Sequence, residues 1–230
     1  MIEAELQSSG FLLVNKPSGP TSHDIIDQLR RITGIRKIGH AGTLDPFASG
    51  LLIVAVGRQA TKDINRFVKM DKEYIAELML GQESDTFDRT GKIKTNPGAK
   101  IIEQEKIKKT LERFNGKQKQ LPPMYSAKKI GGRKLYDLAR RGQTIERAPA
   151  DIEIFELTQI SYDWPKLKIK IRVSSGTYIR TLAHDLGQAL GAGALVSELE
   201  RTAINGYNLT EAGNLETLGK NWQSYLSPHL

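Results

Sequence analysis

An aspartate, an arginine and a tyrosine are the residues best placed for chemistry. Asp45 lies in the run Gly39-His40-Ala41-Gly42-Thr43-Leu44-Asp45-Pro46-Phe47-Ala48-Ser49-Gly50, ahead of the apolar stretch Leu51–Val56. Glycines let such a backbone turn tightly and approach a partner closely. A phosphate-binding loop would need Gly-Lys-Ser/Thr before a helix. This run has no lysine and leads into an apolar strand, which argues against binding of a nucleoside triphosphate. Asp45 then has two readings. One is a turn residue that satisfies local backbone ahead of Pro46. The other is a carboxylate on a rigid loop, ionised at neutral pH because an ordinary aspartate titrates at about 3.9. Such a carboxylate acts as nucleophile or base on an electrophilic carbon. Arg180, in Ser174-Ser175-Gly176-Thr177-Tyr178-Ile179-Arg180-Thr181-Leu182, falls in the first turn of an expected helix. The helix dipole disfavours a cation there. Arg180 is either an exposed surface residue or the partner of a carboxylate or phosphate. Tyr74, in Asp71-Lys72-Glu73-Tyr74, is either a core ring at a strand start or a flat face for an unstacked base.

Strands and helices of ordinary length must position these residues. Phe11–Val14 reads as a buried strand stopped by Lys16-Pro17-Ser18-Gly19-Pro20. Ser22 is the expected N-cap of a helix that buries Ile25, Leu29 and Ile32 and stops at Gly34. Gly39–Gly50 reads as a loop and Leu51–Val56 as a second buried strand. Residues 60–69 read as a helix, Glu73–Leu80 as a strand, and Gly91 as a turn. Ile107, Leu111 and Phe114 repeat at helical spacing, with Gly116 as the stop. Residues 117–150, with Pro122-Pro123, Gly131-Gly132 and interleaved Tyr125 and Tyr136, read as a long excursion holding one short helix near 134–141. Residues 151–162 and 166–173 form a hairpin, the second strand alternating charged and apolar residues. Thr177–Leu190 reads as a helix, and Val196, Leu199 and Ile204 mark a last apolar stretch. Strands and helices mix without a βαβ rhythm, so the expected class is α+β.

Composition narrows the partners. The 230 residues include no cysteine, which removes a disulfide framework, a thiol nucleophile and a thiolate-held metal. The four histidines are scattered, so no metal site is expected. No segment has the roughly 18 consecutive apolar residues of a membrane span. The first residues do not form a signal peptide, so a cytoplasmic protein is expected. From Lys100 to Arg147 there are fourteen Lys/Arg against five Asp/Glu, while the other residues hold twenty against twenty-one. One segment therefore carries the whole positive excess, as a polyanion-binding surface would.

Six stretches, in order, resemble the TruB family of pseudouridine synthases. They are Lys16-Pro17-Ser18-Gly19-Pro20-Thr21-Ser22; Gly39-His40-Ala41-Gly42-Thr43-Leu44-Asp45-Pro46; Lys72-Glu73-Tyr74; Pro122-Pro123-Met124-Tyr125-Ser126-Ala127-Lys128-Lys129; Ser175-Gly176-Thr177-Tyr178-Ile179-Arg180; and Leu199-Glu200-Arg201-Thr202. The resemblance implies a pseudouridine synthase fold, with a large mixed, mainly antiparallel sheet, flanking helices and a basic thumb-like insertion over about 117–150. It implies Asp45 as the nucleophile, Arg180 as its paired cation and Tyr74 stacked on the target uracil. Tyr178 and Leu199 would line the uracil pocket, and His40 would contact RNA. Lys128, Lys129, Arg133 and Lys134 of the insertion are the expected RNA-binding cations. It further implies isomerisation of uridine in the T stem-loop of tRNA (position 55), with no cofactor, no metal and no guide RNA, by a monomer. Residues 1–212 would form the catalytic domain and 213–230 a short tail, without the PUA domain that many members carry. A synthase acting on another RNA stem-loop and an RNA-binding or chaperoning protein without catalysis are the competing readings.

Overall fold

More of the described residues lie in strands than in helices. The computed structural model describes residues 9–126 and 129–228, apart from the side chains of Lys129, Ile130, Lys134, Arg140 and Lys220. In chain order the elements begin with β1 (Gly10–Lys16), α1 (Ser22–Thr33), β2 (Ile38–Ala41), β3 (Ser49–Val56), α2 (Arg58–Asp63) and α3 (Asn65–Val68). Then come β4 (Lys72–Leu80), β5 (Gln82–Ser84), β6 (Ile93–Thr95), α4 (Gln104–Arg113), β7 (Gly116–Gln120), β8 (Lys129–Ile130), β9 (Arg133–Lys134) and α5 (Leu135–Arg140). The chain continues with β10 (Ala150–Asp163), β11 (Lys166–Val173), α6 (Ile179–Leu190), β12 (Ala194–Ile204), β13 (Tyr207–Asn208) and α7 (Leu215–Leu218). The main sheet has the order β1-β3-β12-β4-β11-β10-β7, with β2 on β3 and β13 on β12. β12 runs parallel to β3, while β1–β3, β2–β3, β10–β11 and β7–β10 are antiparallel. The fold is thus α+β with a large mixed, mainly antiparallel sheet. Among the described residues no helix is long and apolar enough to cross a membrane.

Two units divide the chain: one up to Tyr74 together with Leu199 onward, the other from Ile75 to Glu198. In the first unit both faces of β1 and β3 are covered. Ile25, Ile26 and Leu29 of α1 pack with Leu12, Val14, Leu52 and Val54 on one face. Phe11, Leu51, Ile53, Phe67 and Ile204 cluster on the other. A strand covered on both sides reads as an unbroken apolar run, which is why Leu51–Val56 shows no alternation. In the second unit, Leu167, Ile169, Ile171 and Val173 of β11 are buried while Lys166, Lys168 and Arg172 face water. Helix α4 packs on β10 and against α6, and Lys106 donates from Nζ to the Leu190 carbonyl at 2.8 Å.

The structure corrects several sequence expectations. Thr21, not Ser22, caps α1. Its hydroxyl accepts from the Asp24 N–H while the Asp24 carboxylate accepts from the Thr21 N–H, a capping box. The expected loop Gly39–Gly50 is partly strand, because β2 pairs with β3 through Ala41 and β3 already begins at Ser49. The helix expected over 60–69 is two short helices, α2 and α3. Gly116 does not stop α4, whose cap is Phe114; at φ +97° it opens β7. The excursion starts later than 117, since β7 is bonded to β10 in the main sheet. Its short helix is α5. Within the short tail expected from 213, the described residues reach the first unit's core. Leu218 and Trp222 are buried in the core of the first unit, and Ser227 bridges to Phe11.

Candidate active site

The first unit holds Asp45, His40, Tyr74 and Leu199. Asp45 is half-buried on the connection between β2 and β3. The backbone on both sides of it is fastened. The Leu44 N–H donates to Ser22 Oγ at 2.9 Å, and that hydroxyl faces the Leu44 carbonyl at 3.2 Å. Gly19 N–H donates to the Pro46 carbonyl at 2.8 Å, and Ser18 Oγ to the Phe47 carbonyl at 2.7 Å. The Ala48 N–H closes a turn onto the Asp45 carbonyl at 3.1 Å. The Pro17–Ser22 segment is therefore the cradle of the Asp45 loop, and Leu44 and Phe47 anchor that loop in the core. This rigidity fits either reading of Asp45, turn residue or nucleophile.

Three buried cations surround that connection, and the sequence reading gave none of them a role. Lys16 has no exposed surface, Arg201 has 1% and Lys72 has 6%. Lys16 Nζ donates to the carbonyls of Pro17, Pro20 and, at 3.4 Å, Pro46. Arg201 donates from Nε to the Leu51 carbonyl at 2.7 Å and from Nη2 to the Gly42 carbonyl at 3.0 Å. Lys72 Nζ donates to the Val68 and Met70 carbonyls, both at 2.6 Å. Burial pushes the Lys16 ammonium down to about 8; the Asp45 carboxylate opposes that shift and Arg201 adds to it. Burial and Arg201 likewise push Lys72 down to about 8. His40 is held below the usual histidine range by burial and by Arg201, and its Nδ1 has no hydrogen-bond partner among the described residues. Its imidazole is thus neutral at pH 7. Tyr74 on β4 and Leu199 on β12 are 8% and 6% exposed.

Arg180 and Tyr178 belong to the second unit. Arg180 is 3% exposed, so its reading as a surface arginine is overturned. Its Nη1 lies 3.5 Å from Asp88 Oδ2 and donates to the Thr86 carbonyl at 2.9 Å; Nη2 donates to the Tyr125 carbonyl at 2.7 Å. Asp88 is itself buried, and its Oδ1 accepts from Thr86 Oγ1 and the Thr90 N–H, both at 2.8 Å. Asp88 is a buried carboxylate beside Arg180 to which the sequence reading gave no role. The helix begins at Ile179, with Tyr178 as N-cap. Gln120 at the end of β7 fixes that cap from both sides, accepting from the Tyr178 N–H at 2.8 Å and donating to its carbonyl at 3.0 Å. Arg133 is exposed on β9. Lys128 and the side chains of Lys129 and Lys134 lie outside the described residues. Among the described residues no cluster of His, Asp or Glu could hold a metal ion.

The chain superposes on a chain of a Cbf5-Nop10-Gar1 complex with a TM-score of 0.75 at 25% identity, covering 99% of this chain and 62% of that one. A chain of an archaeal box H/ACA sRNP Nop10-Cbf5 complex gives 0.69 at 26%, covering 98% and 57%. The chain thus spans about three fifths of the solved chains it matches. The TruB family pseudouridylate synthase N-terminal domain matches residues 30–179, and the tRNA pseudouridylate synthase B C-terminal domain matches residues 180–229. The protein called tRNA pseudouridine synthase B from Protochlamydia amoebophila is 45% identical over 216 residues, covering 90% of this chain and 82% of that protein. Its namesakes from Chlamydia muridarum (43%, 88% and 83%) and Geobacter sulfurreducens (44%, 91% and 68%) are similar. The chain belongs to the TruB family of pseudouridylate synthases, which are isomerases.

Proposed function

We propose that this chain isomerises a uridine in the T loop of tRNA, at position 55, with Asp45 as the nucleophile. The observation that carries this reading is the match to the TruB family over residues 30–229, and the Asp45 loop, its backbone fixed by Ser18, Ser22, Lys16 and Arg201, is held as that role requires. A near-attack geometry needs a carboxylate that does not wander, and such positioning lowers a barrier by several kcal/mol. The tRNA substrate is supported by the names of relatives at 43–45% identity.

A uridine in a folded loop must be flipped out, which costs a few kcal/mol. Tyr74 stacks on the flipped base, and Tyr178 and Leu199 wall the pocket. Arg180 is the cation that favours the ionised carboxylate. Asp45 attacks C1′ or C6. The N1–C1′ bond breaks, the uracil turns within the closed pocket, and C5 bonds to C1′. Asp45 is released, C5 loses its proton and N1 gains one, so no outside reactant is consumed. His40 contacts the RNA as a neutral imidazole, in keeping with its lowered pKa. Lys128, Lys129, Arg133 and Lys134 hold RNA phosphates, and the enzyme works as a cytoplasmic monomer without a guide RNA.

Tritium release from C5-labelled uridine in tRNA tests the reading. Wild-type chain should release tritium, with position 55 converted on sequencing, and Asp45→Asn should reduce turnover to background. Near-normal turnover in Asp45→Asn would remove the nucleophile assignment. Tight tRNA binding without product from the wild-type chain would favour a non-catalytic binder.

A further inference from the structure

Arg201 stands apart among the buried cations because one guanidinium reaches both ends of the Asp45 loop. Its Nε–H donates to the Leu51 carbonyl and its Nη2 to the Gly42 carbonyl, and these two residues bracket Asp45 in sequence. The Arg201 backbone is locked to the same segment. It pairs with Gly50 in the parallel β3–β12 register. A Cβ on Gly50 would lie 2.3 Å from the Arg201 carbonyl oxygen and 2.6 Å from its nitrogen. Only glycine fits so close an approach, and at φ +110° only glycine is unstrained.

Stability alone does not account for an arginine there. Desolvating a guanidinium costs several kcal/mol. Position 201 shares the inward side of β12 with Leu199 and Ala203, where an apolar side chain would pack without that cost. Lys16, His40 and Lys72 all lie within reach of the Arg201 charge, which works against protonation of each. What the guanidinium offers in return is a planar fork that meets two carbonyls at a fixed spacing, which neither a lysine nor an apolar residue can do.

We propose that Arg201 is a positioning residue for the reaction: by clamping Gly42 to Leu51 it closes the loop and fixes the direction of the Asp45 carboxylate. The proposal rests on Asp45 being the nucleophile, as inferred above. It is distinct from any role in contacting substrate.

The test compares the wild-type chain with Arg201→Met and Arg201→Lys. Single-turnover conversion and binding are measured on transcribed tRNA carrying C5-tritiated uridine, and amide hydrogen exchange is followed on the free proteins. Arg201→Met should convert about 100-fold more slowly, the scale expected when a reacting group is displaced by about 1 Å. Its RNA affinity should stay near wild type. The Ala48 amide, bonded to the Asp45 carbonyl, should exchange faster while the amides of α1 keep their protection. Arg201→Lys keeps the charge without the fork and should fall between the two in rate. Arg201→Met turning over at the wild-type rate overturns the proposal. So does a loss of rate in both variants that merely tracks lost RNA binding and lost thermal stability, since that marks a structural role. Wild-type chain that makes no pseudouridine defeats the functional reading instead. In that case unchanged Ala48 exchange in Arg201→Met still overturns the clamp.

Discussion

Lys16, Lys72 and Arg201 sit at inward-facing strand positions, although the sequence reading put Lys16 in the stop after the first strand and began the Tyr74 strand only at Glu73. Lys16 follows Leu12 and Val14 at two-residue steps, Lys72 precedes Tyr74, Ala76 and Leu78, and Arg201 follows Leu199. Strand side chains alternate between faces, so each cation belongs to the buried side of its strand. What alternation cannot give is the partner: all three turn to backbone carbonyls outside their own strands' ladders. The lowered Lys16 pKa carries a measurable consequence. Between about 8 and its ordinary 10.5, the unfolded chain binds a proton at Lys16 that the folded chain does not. Folding stability therefore rises with pH through that window, as the cost of burying the charged form is relieved. Urea unfolding of wild-type chain and Lys16→Met at pH 7 to 10.5 should show the wild type gaining on the variant as pH rises. A constant difference would mean that Lys16 titrates normally.

Helix α1 shows how an element does more than fill space. Its amphipathic face places Ile25, Ile26 and Leu29 in the core, and the Thr21–Asp24 capping box fixes its first turn. That leaves Ser22, the residue expected to cap, free to hold Leu44 beside the proposed nucleophile. Sequence could place a capping residue within one position but could not show which hydroxyl faced the helix, because that depends on a single ψ angle. Helix α6 behaves similarly. A cation in its first turn is disfavoured by the dipole, and Asp88 with two carbonyls offsets that cost for Arg180. The basic insertion is the element for which sequence spoke most directly, through charge. Neutralising Lys128, Lys129, Arg133 and Lys134 together should weaken RNA binding and flatten its dependence on salt, by about 0.7–0.9 in log–log slope per lost phosphate contact. Binding isotherms across a salt series check this, and an unchanged slope would place the RNA grip elsewhere.

For the whole molecule, the C-terminal residues matter more than their composition suggests. Leu218 and Trp222 join the core built by β1, β3 and α1, and the bridge from Ser227 to Phe11 extends the pairing of β1. Trp222→Ala should lower unfolding free energy by roughly 3–5 kcal/mol, the usual cost of emptying a large buried site. Chemical denaturation reads this directly, and a change below about 1 kcal/mol would place Trp222 outside the core. The sequence by itself determined the α+β class, most helix and strand positions and the basic segment, because periodicity and charge are local properties of the chain. Its ordered motifs also determined the family and marked Asp45, Arg180 and Tyr74. Tertiary structure alone decided that Arg180 is buried against Asp88, that Ser22 serves the Asp45 loop, and that Arg201 joins Gly42 to Leu51. Each of those contacts links residues far apart in the chain, and only the packing of helices, strands and loops that are distant in sequence brings such groups within hydrogen-bond reach.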